Sequence, residues 1–226
     1  MSLDLSKIKA LCFDVDGTLS DTDDQFVENL ASSLKIVKFL FSEGNPRPFA
    51  RKIVMATETP GNAAYGLFDT LGIDDEIAAL GDWLYRLGLG KSHQPFQLIP
   101  NVEDMLIALY EKYPLAVVSA RGKKSTQRFL DQFQLADLFQ CVATAQTCQY
   151  TKPYPDPIEW AAQKMGVDPE ECLMIGDTTV DIRAARAAGA QSVGVLCGFG
   201  EKDELLSVGA DLILEETSHL VRVLLE

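Results

Sequence analysis

The apolar positions of this chain keep two different rhythms. Residues 8–15, IKALCFDV, form a short apolar run of strand length that ends on Asp14 and Asp16. The spacing then turns helical. In DTDDQFVENLASSLKIVKFLFSEG, Phe26, Leu30, Leu34, Val37 and Leu40/Phe41 recur on one face, possible N-caps open the run and Gly44 closes it. Further helices fit residues 47–57, 61–71 and 75–89, parted by TPGN at 59–62 and GIDD at 72–75. Residues 23–95 therefore predict a small all-helical unit inserted after the first strand, and residues 1–22 with 96–226 predict the core.

Beyond Pro100 the pattern alternates helix and strand: VEDMLIALYEKY, LAVVSA, KSTQRFLDQF, FQCVATA, PIEWAAQKMG, CLMIGD, TTVDIRAARAAG, QSVGVL, DELLSVG, DLIL, HLVRVLL. Such alternation predicts an α/β core, a parallel sheet with helices on both faces. In open sheets of this kind ligands bind beyond the carboxyl ends of the strands, so the last residues of each strand are where chemistry is to be sought.

Composition narrows the partners. A chain of 226 residues, 47% of them hydrophobic, suits one core with a sizeable insertion. Its formal charge of −13 opposes binding to a nucleic-acid polymer or an anionic membrane surface, so a small anionic substrate would need local cations. The odd set Cys12, Cys141, Cys148, Cys172 and Cys197 contains no C-x-x-C pair and sits mostly in apolar runs. With no basic-then-apolar leader and no run of membrane-spanning length, this composition predicts a cytoplasmic protein with reduced thiols.

Four polar clusters converge on the rim at the strand ends: Asp14-Val15-Asp16-Gly17-Thr18, Ser119-Ala120-Arg121, Thr151-Lys152-Pro153 in a loop, and Gly176-Asp177-Thr178-Thr179-Val180-Asp181. Asp14 and Asp16 are spaced i, i+2, and point to one side if strand geometry persists. Two such carboxylates need a cation between them. A hard divalent ion with oxygen ligands meets that need, with Asp177 and Asp181 as further ligands and Mg2+ as the natural candidate. Lys152 would offset the charge of a phosphoryl group, and Ser119 could donate a hydrogen bond to it.

This ordered set, DxDGT, a serine at the second strand end, Lys152 in KPYPDP, and GDTTVD, resembles the haloacid dehalogenase superfamily of phosphatases. The resemblance implies a Rossmann-like core with an all-helical cap. It implies Asp14 as nucleophile, Asp16 as general acid and base, Ser119 and Lys152 as phosphate binders, and Asp14, Asp177, Asp181 and the Asp16 carbonyl at Mg2+. Thr18, Ala120, Arg121 and Asn62 are expected to contact substrate. KPYPDP, GVLCGFG at 194–200 and the C-terminal ADLILEETSHLVRVL resemble the phosphoglycolate phosphatase-like branch. VVSARG departs from it, with Ala120 where relatives often carry an amide side chain.

The expected function is magnesium-dependent hydrolysis of phosphate monoesters of small metabolites through an aspartyl phosphate, with Asp16 kept protonated by its acidic neighbours. Carbon–halogen cleavage is discounted, because it has no leaving oxygen that needs the acid at position 16. A sugar phosphomutase resembling the β-phosphoglucomutase branch is the alternative, but TETPGN offers Glu58 and no cation for a second phosphate. A non-catalytic binding module on the same fold is a further alternative, opposed by the intact Asp14, Asp16, Lys152 and Asp177. Lys123 and Lys124 read as solvated residues before a helix, His93 and His219 as surface or satisfied polar groups, and Trp83 and Trp160 as core.

Overall fold

A computed structural model describes residues 3–21 and 96–226. The inserted unit expected at 23–95, and with it Asn62, Glu58, Trp83 and His93, lies outside the described residues. Short apolar runs become strands β1 (Ala10–Phe13), β2 (Leu115–Val118), β3 (Cys141–Ala143), β4 (Cys172–Gly176), β5 (Gln191–Val195) and β6 (Leu212–Leu214). They form one six-stranded sheet in the order β3-β2-β1-β4-β5-β6, every pair parallel. The two central strands, β1 and β4, are buried along their whole length. That is why they carry continuous apolar runs rather than an apolar–polar alternation.

Helices α1 (Val102–Tyr110), α2 (Lys123–Gln132), α3 (Asp156–Met165), α4 (Thr179–Ala188), α5 (Lys202–Ser207) and α6 (Leu220–Leu225) connect and cover the strands. Because successive strand residues face opposite ways, the sheet has two chemically different sides. Leu11, Phe13, Leu115, Val117, Leu173 and Ile175 belong to a layer with Met105, Leu106 and Leu109 of α1 and Phe129 of α2. Ala10, Cys12, Ala116, Val118, Cys172 and Met174 belong to a layer with Ile158, Ala161 and Ala162 of α3 and Ala184 and Ala185 of α4. The first side is built of large residues and the second of small ones. Fully burying a side chain such as Phe13 contributes about 1.5–3 kcal/mol.

Helix ends follow their local chemistry. α3 and α4 stop at Gly166 and Gly189, whose φ values of 75° and 77° are left-handed and relieve the last carbonyls. The described residues that flank 22–95 lie side by side. The Asp21 amide donates to the Gln97 carbonyl at 2.9 Å, the Ile99 amide donates to Leu19 at 3.0 Å, and Ser20 forms an antiparallel bridge with Leu98. Trp160 is half-buried against the small-residue layer, and His219 is partly exposed near Glu216. All five cysteines are free thiols. No helix among the described residues is long and apolar enough to cross a membrane.

Candidate active site

The polar clusters converge where β1, β2 and β4 end. β1 stops at Phe13, but the Asp14 amide still donates to Ile175 of β4 at 2.9 Å, which ties Asp14 to the sheet. Past it the chain leaves strand geometry: the Val15 carbonyl accepts from the amides of Thr18, Leu19 and Ser20, and Gly17 turns with φ 70°. The i, i+2 expectation therefore does not hold. Asp14 turns to Lys152, whereas Asp16 turns to Arg121.

Lys152 is 2% exposed, and its ammonium donates to Asp14 Oδ1 at 2.7 Å and to Asp181 Oδ1 at 2.6 Å. Burial alone would lower an ammonium, but the carboxylates of Asp14 and Asp181 outweigh it and hold Lys152 above its ordinary range. Burial pushes the Asp14 carboxyl up to about 7 against the pull of Lys152, and Asp181 and Asp16 push the same way. Burial thus dominates the shift of Asp14, and the neighbouring carboxylates dominate that of Lys152.

Asp181 is the third residue of α4, and its Oδ2 accepts from the Thr178 amide at 3.0 Å and the Thr178 hydroxyl at 2.7 Å. It therefore caps its own helix while its other oxygen meets Lys152. A Cβ on Gly176 would lie 2.3 Å from Asp181 Cγ, so the inward pose of Asp181 requires glycine at the end of β4. Asp177, fully buried, accepts from the Phe199 amide at 2.8 Å through Oδ2. A Cβ on Gly198 would fall 2.1 Å from that oxygen, so the loop after β5 can wrap Asp177 only as glycine.

Carboxylate oxygens of Asp14, Asp177 and Asp181 lie within 4.8 Å of one another, all buried. This all-oxygen, anionic donor set fits a hard divalent cation and offers nothing to a soft one. The Asp16 carboxylate is paired with Arg121 instead.

Arg121 Nε donates to Asp16 Oδ2 at 2.5 Å, and Nη2 donates to Asp16 Oδ1, giving a two-pronged ion pair. A cation therefore faces Asp16 as well as the neighbouring Asp14 carboxylate, where the sequence predicts carboxylates alone. Arg121 also lies 4.9 Å from the centre of the Phe96 ring, its amide donates to Ser119 Oγ at 3.1 Å, and its carbonyl accepts from Ala145 at 2.9 Å. Ser119 is 3% exposed and keeps its hydroxyl proton available for a ligand.

Thr18 is fully buried, with its carbonyl accepting from Thr217 Oγ1 at 2.7 Å and its Oγ1 meeting no hydrogen-bond partner among the described residues. Ala120 is exposed at the rim, as are Lys123 and Lys124 at the start of α2. Sequence reasoning missed the Asp16–Arg121 pair, because nothing local signals a contact across 105 residues. It also missed the Phe199 amide, for which the glycines of GVLCGFG were the available signal.

The family model for haloacid dehalogenase-like hydrolases matches residues 11–195. A phosphoglycolate phosphatase of Aliivibrio fischeri is 30% identical over 231 residues, covering 96% of this chain and 96% of that protein. The pyrophosphatase PpaX of Anoxybacillus flavithermus is 29% identical over 220 residues, covering 96% and 97%. A solved haloacid dehalogenase-like hydrolase of Streptococcus pneumoniae superposes with a TM-score of 0.71 at 26% identity, over 96% of this chain and 99% of that one.

Proposed function

Because the chain belongs to the haloacid dehalogenase-like hydrolases, we propose that it is a magnesium-dependent phosphatase of small phosphorylated metabolites that works through an aspartyl phosphate on Asp14. The observation that carries this reading is the buried Lys152 ammonium held between Asp14 and Asp181 beside Asp177. A buried lysine among carboxylates is costly as mere structure and useful as a phosphoryl site.

In this reading Asp14, Asp177, Asp181 and the Asp16 carbonyl hold Mg2+, which supplies charge neutralisation at the phosphoryl oxygens. Lys152 orients Asp14 through Oδ1, and an oxygen of the Asp14 carboxylate attacks phosphorus. The P–O bond to the leaving group breaks, and Asp16 gives its proton to the departing alkoxide. Water then attacks the phosphorus, its proton passes to Asp16, the bond between phosphorus and Asp14 breaks, and inorganic phosphate leaves. Lys152 and the Ser119 hydroxyl bind the phosphoryl oxygens, with Thr18, the Ala120 rim, Arg121 and Asn62 around the substrate.

The relatives put phosphoglycolate and pyrophosphate at the head of a substrate panel, followed by sugar and nucleoside phosphates. The free thiols support a reducing, cytoplasmic setting. The test is phosphate release across that panel with magnesium or with a chelator. Wild type turns over with magnesium only, and Asp14→Asn loses at least about 10³-fold in kcat. Undiminished release by Asp14→Asn, or release indifferent to the chelator, overturns the reading.

A further inference from the structure

Asp16 and Arg121 pose a chemical problem for the mechanism. A carboxyl that serves the leaving oxygen needs an oxygen directed at it, yet both Asp16 oxygens are gripped by one guanidinium. The pair is not sealed in the core: the Arg121 side chain is 12% exposed and that of Asp16 is 28% exposed. Arg121 is nonetheless held from behind, by the Phe96 ring under its guanidinium and by Ser119 and Ala145 on its main chain. Its backbone is anchored while its fork faces the site.

We infer that Arg121 is an exchangeable anion clamp and the specificity-determining residue of the site. It holds Asp16 in the free protein, and passes to a second anionic group on the substrate when one binds, which frees Asp16 to take up a proton from solvent and deliver it to the leaving oxygen. The substrate class follows from the geometry of the fork. A guanidinium that leaves a carboxylate is matched by another planar carboxylate or a phosphoryl group, and a neutral leaving group has no replacement to offer. The preferred substrates therefore carry an anion on the part that departs. This inference rests on the phosphatase reading and assigns the substrate chemistry of the same site.

The test is calorimetric binding of phosphonoacetate and phosphonoacetamide in the presence of magnesium. These two compounds share the phosphonate and differ by one carboxylate. Wild type binds phosphonoacetate about ten- to hundredfold more tightly, the range expected for charge-assisted hydrogen bonds. Arg121→Gln brings the ratio to within about threefold, and Arg121→Lys, which keeps the charge but not the fork, falls between. A ratio unchanged in Arg121→Gln overturns the clamp, as does a wild type that binds the two equally or binds neither. Should Arg121→Gln fail to fold, the lysine variant alone decides, since an unchanged ratio there excludes the fork. Phosphate release is measured separately. A clamp-dependent ratio without turnover would sink the phosphatase reading and leave the clamp standing, whereas turnover with an Arg121-independent ratio would do the reverse.

Discussion

The Lys152 ammonium sits 2.6 Å from Asp181 Oδ1, and the same carboxylate caps the helix that follows β4. One side chain thus joins the loop before α3 to the N-terminus of α4, and the site shares its scaffold with the fold.

Replacing this lysine should therefore be felt by the whole domain. Lys152→Met leaves Asp14 and Asp181 buried without their cation, and the loss expected is about 3–5 kcal/mol. Urea unfolding of the metal-free protein checks this, and a midpoint within error of wild type would show that the ion pair contributes nothing to stability.

Gly198→Ala probes the wrapping of Asp177. The added Cβ would meet Asp177 Oδ2 at 2.1 Å, so the carboxylate or the loop must move. Magnesium affinity should fall about 10–100-fold, as it does when outer-shell support is removed, with overpacking costing about 1–3 kcal/mol. Titration calorimetry with magnesium reads the first effect and chemical denaturation the second.

Magnesium itself should stabilise the chain, because it offsets the charge of Asp14, Asp177 and Asp181. At a concentration about 100 times its Kd the gain is about 2.7 kcal/mol. Differential scanning calorimetry with magnesium and with chelator shows it. Asp177→Asn should remove most of that gain, and an equal shift in the variant would place the ion elsewhere.

The thiols give a pH dependence whose sign is fixed. Burial pushes Cys141 up to about 11, and alkylation requires the thiolate. At about pH 8 only about a thousandth of Cys141 is reactive, and its rate should climb roughly tenfold per pH step until about pH 11. Mass spectrometry after brief iodoacetamide treatment follows this, with Cys12, fully buried and shifted upward by the Cys172 thiol and by burial, unreacted in the folded protein. A Cys141 rate that levels off near pH 8 would contradict the burial seen here.

The strands and helices after Pro100 were legible in the sequence because each apolar run is bounded by glycine, proline or a cap, as Gly166 and Gly189 bound α3 and α4. The end of β1 was not. The run IKALCFDV continues to Val15, but the strand stops at Phe13 because the Val15 carbonyl is drawn into a turn by three amides. The gathering of Asp14, Lys152, Asp177 and Asp181 was legible from their places just beyond the strands, in the loops and at the helix start that follow them. Their partners were not: which oxygen meets Lys152, and that Asp16 meets Arg121, depends on side-chain packing across distant segments.

The paired strips at Ser20–Asp21 and Gln97–Ile99 also bear on how such a chain can change over evolutionary time. With Leu19 and Ile99 already bonded, the core itself holds together the two points between which residues 22–95 are inserted in the sequence. Doubling the length of a connection between two fixed ends costs only about 0.6 kcal/mol in closure entropy. Exchange of the stretch between these two ends should therefore leave the sheet undisturbed. A chimera that exchanges 22–95 with the matching stretch of a relative should fold with its sheet intact.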